Sequence, residues 1–396
     1  MSSHVSLEAY LKSWAQGDSA RAAIAATIGA LAAACKEIAD LVAAGPLSGE
    51  LSKLQADKAG GDFQTELDVL ANTRLVDALR SAPVAAVASE ELDVPVALAP
   101  GAPIIVALDP LDGSSNIDTN VSIGTIFSLL QSPPNGAAEP AAFLSHGHEQ
   151  VAAGFVLYGP QTSLVLTVGA GTDIFTLDRA RGVFVLTKPQ VQIPAVSNEF
   201  AINASNYRHW APPVRQWFDD CIAGSEGPRG RNFNMRWIAS MVAEAHRILV
   251  RGGVYAYPGD AREGYRSGRL RLVYEANPIA FLMEQAGGAA STGRERILDR
   301  LPRMLHERVP LVFGSREEVA RVDRHHADPH PTGERSPLFG RPCRYPARRR
   351  TRLRRQYPSA RLRLRRRGRR EPALRSDHRP RAPRSGGAAE IRQCGR

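Results

Sequence analysis

Residues 103–118, PIIVALDPLDGSSNID, constrain this chain more than any other stretch. The run 103–108 is apolar and rich in β-branched residues, and it stops at Asp109, so it reads as a strand that ends on a carboxylate. Pro110 bends the chain, and Asp112 returns to the same side three residues later. Two carboxylates so placed are hard oxygen ligands suited to Mg²⁺, which binds through few carboxylates plus substrate phosphate. Gly113, Ser114 and Ser115 then let backbone N–H groups approach an anion, as a helix N-terminus or a nest of amides does. Metal ligands and a phosphate cradle this close together point to phosphoryl chemistry.

The surrounding pattern mixes strands and helices throughout, which points to a layered α/β sandwich. Strands are expected at 84–89, 123–130, 154–158, 164–168, 183–186, 252–257, 269–274 and 309–313. The alanine-rich segment 20–44 carries Ile24, Ile28, Leu31, Ile38, Leu41 and Val42 at helical spacing and stops at Gly45-Pro46. Further helices are expected at 68–79, 212–223, 236–250 and 278–286, and a mobile loop at 46–62. The halves 1–200 and 201–340 are read as two α/β domains, with no internal repeat.

Charge divides the chain elsewhere. Residues 341–396 hold 21 Arg, no Lys and three acids, a net +18 against +11 for the whole chain, so the first 340 residues carry −7. The basic balance belongs to the tail, and the body has no nucleic-acid footprint. Lacking hydrophobic periodicity, the tail is expected to be disordered. Arg without Lys is what a GC-rich coding region yields out of frame, so a frameshift origin is expected, with a genuine basic extension as the alternative. A nucleic-acid-binding function through this tail would show a steep loss of affinity with salt. Cys35, Cys221, Cys343 and Cys394 are too scattered for a disulfide framework or a zinc site, and with no secretory signal or membrane-length apolar run the expected location is the cytoplasm.

Other acids add to the central pair. Glu90-Glu91 follow the strand candidate 84–89, and at a strand terminus both can turn toward one site. Two or three cations held by such groups could grip the attacking water and the leaving oxygen in line. Asp62 and Asp68 flank a helix start and could orient that water as general base, and Glu275 follows the apolar run 272–274. Asn203, Tyr207, Tyr257, Arg269 and Arg271 offer polar and cationic groups on short loops and strand edges.

These segments resemble, in order, the class I fructose-1,6-bisphosphatases. The resemblance rests on Gly61-Asp62, Leu67-Asp68-Val69, Ser89-Glu90-Glu91, Asp109 to Asp118, Ser122 to Phe127, Ser240-Met241-Val242 with His246-Arg247, and Leu270 to Pro278, over about residues 10–340. It implies a five-layer αβαβα sandwich of the sugar-phosphatase type, assembled as a homotetramer. It implies Mg²⁺, two to three per subunit with Mn²⁺ able to replace it, on Glu90, Glu91, Asp109, the Leu111 carbonyl, Asp112 and Glu275. Asp62 and Asp68, with Glu90, are implied to activate water. Asp112, Gly113, Ser114 and Ser115 would hold the 1-phosphate, and Asn203, Tyr207, Tyr257, Arg269 and Arg271 the sugar and its 6-phosphate. Arg236 would reach a neighbouring subunit's 6-phosphate.

The implied reaction is hydrolysis of fructose 1,6-bisphosphate, with sedoheptulose 1,7-bisphosphate as a further substrate of the carbon-fixing bacterial type. An inositol-phosphate or nucleotide phosphatase sharing only the Asp-Pro-Leu-Asp-Gly-Ser string is the alternative. Trp237 replaces a family Tyr, and Arg269 stands where animal relatives have Lys. The AMP-binding cations of animal relatives fall on Pro103-Ile104 and Gln131, so AMP inhibition is expected to be weak or absent.

Overall fold

The computed structural model describes residues 5–48, 54–57 and 63–328. The expected tail, 341–396, and Asp62 lie outside the described residues.

The chain opens with α1 (Leu7–Ala15) and α2 (Ser19–Ala44). Asp18 caps α2 by accepting from the N–H groups of Ala20 and Arg21, at 2.9 and 3.0 Å, and Gly45 at φ +52° ends it. Residues 19–47 are long and apolar enough to cross a membrane by length and composition, which corrects the expectation of no such run. In this fold, however, Ile28, Leu31, Cys35 and Ile38 of α2 are fully buried in the protein core. The stretch expected as a mobile loop contains a short strand, β1 (Leu54–Asp57), paired antiparallel with β2 (Phe63–Thr65). Helix α3 (Glu66–Leu79) follows, its first turn closed by a capping box between Thr65 and Asp68.

Eight strands build the first sheet: β3 (Val84–Ser89), β4 (Val96–Ala97), β5 (Ile104–Asp112), β6 (Ile123–Gln131), β7 (Ala152–Tyr158), β8 (Thr162–Thr167), β9 (Thr172–Asp178) and β10 (Val183–Lys188). Their spatial order is β10-β9-β8-β7-β6-β5-β3-β4, with β3 and β5 parallel and every other pair antiparallel. All nine residues of β5 are buried. Side chains alternate across the sheet: Ile104, Val106 and Leu108 pack with α1–α3, whereas Ile126 and Phe155 of the neighbouring strands face the other way.

The second half contributes β11 (Glu199–Ala201), α4 (Pro212–Ile222), β12 (Asn234–Met235), α5 (Met241–Arg251) and β13 (Val254–Tyr257). After β14 (Leu270–Arg271) come a π-helical turn at Leu272–Ala276, α6 (Asn277–Gln285), β15 (Ala289–Ser291), β16 (Arg308–Val309), β17 (Leu311–Gly314) and α7 (Arg316–Ala327). A five-stranded sheet runs β12-β11-β13-β17-β15, and β14 pairs with β16.

Packing resolves these elements into layers. Helices α5 and α6 share one core with the inner face of the first sheet and with Tyr255 and Phe313 of the second. Helices α4 and α7 cover the other face of the second sheet through Val214, Trp217, Val319 and Val322. The stack is therefore α1–α3, sheet, α5–α6, sheet, α4–α7: five alternating layers, as the resemblance implied. Three expectations of local structure are corrected. Residues 236–240 precede α5 rather than belonging to it, 272–274 lie in the π-helical turn rather than a strand, and 309–313 is broken at Pro310.

Candidate metal and phosphate site

The site grows out of an irregularity in β5. Asp109 pairs with Ile126 and Asp112 with Gly124, so three steps along β5 answer two along β6. In a regular strand, residues three apart face opposite sides; the extra residue of this bulge restores Asp109 and Asp112 to one side. The bend expected at Pro110 is thus a bulge inside the strand, which continues to Asp112. Two hydrogen bonds fix it: Leu111 N–H donates to Asp109 Oδ1 at 3.1 Å, and Thr125 Oγ1 donates to the Pro110 carbonyl at 2.8 Å.

Asp112 is held from the far side. Val242 N–H, in the first turn of α5, donates to its Oδ2 at 3.0 Å, so the positive end of the helix faces a carboxylate. That approach is possible because residue 124 is glycine: a Cβ there would stand 2.8 Å from Val242 and 2.3 Å from the Val156 carbonyl oxygen. Gly113 adopts a left-handed conformation, φ +81°, and starts the 3₁₀ turn Ser114–Asn116. Asn116 Nδ2 ties that turn to the Ala239 carbonyl at 2.8 Å.

Glu275 arrives from the second half, on the π-helical turn, where its carboxylate accepts from Arg271 N–H. Ligand oxygens of Asp109, Asp112 and Glu275 lie within 4.8 Å of one another, and all three residues are buried. Glu90 and Glu91 stand just beyond β3, where Glu90 N–H donates to Leu108 O at 2.9 Å and Glu91 N–H to Ser89 Oγ at 3.2 Å. Their charges reach the same point. Burial first, then Glu90, Glu275, Asp112 and Glu91, push the Asp109 carboxyl well above the usual range. Burial raises Asp112 to about 6 against the opposing Val242 hydrogen bond. Burial and Glu90 likewise raise Glu275, while Arg271 opposes them. A trio of buried carboxylates with no His or Cys among them fits a hard divalent cation, whose charge would reverse these shifts.

The remaining expected residues fall into three groups. Arg271 is buried, and its guanidinium meets Glu90 at 2.9 Å, so it faces the acidic cluster. Asp68 Oδ2 accepts from Thr65 N–H at 2.7 Å and Thr65 Oγ1 at 2.8 Å, which makes it the reciprocal partner of the α3 cap. Glu275 also bears on Tyr257 electrostatically, as does Arg269, whose guanidinium lies 4.7 Å over the Tyr265 ring. The other sugar-side candidates have partners of their own. Tyr207 donates to Asp219 at 2.9 and 3.0 Å, Asn203 caps its own turn through Ser205, and exposed Arg236 stands 3.7 Å from Glu199. Ser114 is half-buried and Ser115 exposed.

Sequence reasoning gave no site role to Thr125, Gly124, Asn116 or the α5 amides. Thr125 was detectable as a lone hydroxyl within an apolar strand; the others depend on contacts between distant segments.

Carboxylates converging from both halves of a five-layer sandwich, beside an amide-rich glycine turn, define the class: a metal-dependent phosphatase of layered α/β build. Residues 8–189 match the family described as "Fructose-1-6-bisphosphatase, N-terminal domain" and residues 193–327 match its C-terminal domain. A class 1 fructose-1,6-bisphosphatase of Xanthobacter autotrophicus is 55% identical over 338 residues, 85% of this chain and 91% of its own. One from Azorhizobium caulinodans is 56% identical over 323 residues, 81% of this chain and 98% of its own. Among solved structures, a Leishmania major fructose-1,6-bisphosphatase in holo form superposes with a TM-score of 0.76 at 34% identity, covering 82% of this chain and 99% of that one. This chain belongs to the class 1 fructose-1,6-bisphosphatase family. Both halves match, so the relationship does not rest on the motif shared with inositol-phosphate and nucleotide phosphatases, and that alternative is set aside.

Proposed function

We propose that the chain hydrolyses the 1-phosphate of D-fructose 1,6-bisphosphate, releasing fructose 6-phosphate and phosphate, and that it also accepts sedoheptulose 1,7-bisphosphate. The observation carrying this reading is the buried Asp109–Asp112–Glu275 trio beside the Gly113 turn in a chain of this family. Asp109, Asp112, Glu275, Glu90, Glu91 and the Leu111 carbonyl would hold two to three Mg²⁺ per subunit, with Mn²⁺ able to replace it. When bound, the cations supply charge to the transferring phosphoryl oxygens and lower the pKa of the attacking water.

The chain's own residues do the rest. Amides of the Gly113–Ser115 turn and the two hydroxyls orient the 1-phosphate. Asp68, with Asp62 and Glu90, takes the proton from water, a role Asp68 would share with capping α3. Asn203, Tyr207, Tyr257 and Arg269 hold the sugar and its 6-phosphate, with Arg236 serving a neighbouring subunit of a homotetramer. Arg271 belongs in the same group by resemblance, while its pairing with Glu90 gives it a second task of neutralising the cluster. Residues 1–200 and 201–340 are the two working halves, 341–396 take no part in the chemistry, and the enzyme is cytoplasmic and insensitive to AMP.

Phosphate release from fructose 1,6-bisphosphate by the full chain, with and without Mg²⁺, tests the reading. Mg²⁺-dependent turnover unaffected by micromolar AMP is expected. A folded protein that leaves this substrate intact but cleaves inositol phosphates would overturn it.

A further inference from the structure

Between β12 and α5 the chain crosses five residues, 236–240, that touch both sides of the candidate site. At one end is Arg236, whose N–H donates to Phe200 O at 2.7 Å. Trp237 follows, stacked on Tyr255 with centroids 5.9 Å apart and planes at 10°. Ala239 sits at φ +62°, a left-handed conformation that an alanine adopts only under constraint from its surroundings, and its carbonyl takes the Asn116 amide. Ser240 then caps α5, whose Val242 amide holds Asp112. The segment is therefore one tie between the phosphate turn, the acidic trio and the arginine assigned to the 6-phosphate.

A single side chain fastens its middle. Glu244 is fully buried in the first turn of α5, and its Oε1 accepts from Ile238 N–H at 2.8 Å. Its Oε2 accepts from Arg247 at 2.9 Å, and Arg247 reaches on to Glu199 at 2.7 Å. Arg247 thus keeps a buried acidic partner whatever stands at 244. Among the described residues, the Ile238 amide donates to Glu244 alone.

We propose that Glu244 is a positioning residue for the reaction: by accepting the Ile238 N–H it holds 236–240 in register, and through Ala239 and Ser240 it sets the phosphate turn and Asp112. The inference rests on the function proposed above. No direct contact with substrate or cation is assigned to Glu244. Its effect passes through backbone, where misplacement of catalytic groups by about 1 Å costs about 100-fold in rate.

Two variants separate positioning from simple support of the fold. Glu244→Gln keeps an acceptor for Ile238 and loses the charge facing Arg247; Glu244→Ala loses both. Both should melt earlier than the unsubstituted protein. Only Glu244→Ala should lose about 10- to 100-fold in kcat/KM, with kcat falling as well as KM rising, whereas Glu244→Gln stays within about threefold. Amide hydrogen exchange on the full chain should show faster exchange in 236–243 and also in 113–118 for Glu244→Ala, with distant segments unchanged. Turnover by Glu244→Ala within about threefold of the unsubstituted protein would refute the proposal, as would an equal loss in both variants. If the unsubstituted, folded protein releases no phosphate, the functional reading fails instead. Exchange still decides the tie, which is refuted if 113–118 in Glu244→Ala exchanges as before.

Discussion

Replacing Asp109 by Asn should abolish turnover and yet stabilise the metal-free protein. Ligand oxygens of Asp109, Asp112 and Glu275 lie within 4.8 Å. Two ionised carboxylates at that spacing repel by about 3 kcal/mol at an effective dielectric constant of about 20. Part of that repulsion is already relieved by proton uptake, because burial and four neighbouring acids hold Asp109 well above the usual range. We therefore assign the substitution a gain of about 1–2 kcal/mol in chelator, or about 1–3 °C in Tm for a protein of this size. The unsubstituted protein should behave oppositely. Its trio gains a cation, and occupancy at about 100 times Kd is worth about 2.7 kcal/mol. Thermal melts of both proteins in EDTA and in excess Mg²⁺ therefore predict a crossing: the variant melts higher in EDTA and lower in Mg²⁺. A variant that melts several degrees lower in EDTA, or that keeps the full Mg²⁺-driven rise, would refute the view of this cluster as mutually repelling carboxylates awaiting a cation.

Gly124→Ala places a methyl 2.3 Å from the Val156 carbonyl oxygen and 2.8 Å from Val242, so it should cost about 1–3 kcal/mol and push α5 off Asp112. Phosphate release measured well below the lowered Tm should fall by more than the folded fraction accounts for; a loss explained by unfolding alone would refute the link between this glycine and Asp112. Cys35 and Cys221 are buried, with thiols pushed up by burial to about 11 and about 12, so both remain neutral at pH 8. In a full chain with Cys343→Ser and Cys394→Ser, a thiol reagent at pH 8 should label neither cysteine until denaturant is added, and prompt labelling of either would contradict the burial described.

How far the fold could be read from sequence depended on whether an element's burial left a periodic trace. Helices α2 and α3 were legible almost to the residue because each buries a regular set of side chains against a large neighbour, whereas β3, buried throughout, was legible as a short apolar run that ends on an acidic pair. Strand β9, TDIFTLD, was not recognised, since Thr172 and Asp173 are buried with hydrogen-bond partners rather than by apolar character. Helix α7 was missed for the opposite reason: only Glu318, Val319 and Val322 are buried, too few to mark a stripe. The run Leu272–Tyr274 looked like a strand because an apolar segment buried all round carries no period; its π-helical turn is dictated by packing. At the site, the acids announced themselves through spacing and strand ends. Glu275 was named as a third strand-end acid, yet the turn that presents it was misread. The capping role of Asp68 and the grip of Arg271 on Glu90 concern which partner each charged group finds, which depends on tertiary contacts.

The bulge at Asp109–Asp112 also fixes a parity. Deleting Pro110 or Leu111 would remove the bulge and leave the two aspartates two apart, a spacing that a regular strand already places on one side. What the odd separation adds is the bulged backbone between the acids, with the Leu111 amide turned onto Asp109 and the Pro110 carbonyl onto Thr125. In this chain the length of the motif is as much a part of the site as its letters, because a version one residue shorter keeps both acids on one side and loses the bulged backbone that lies between them.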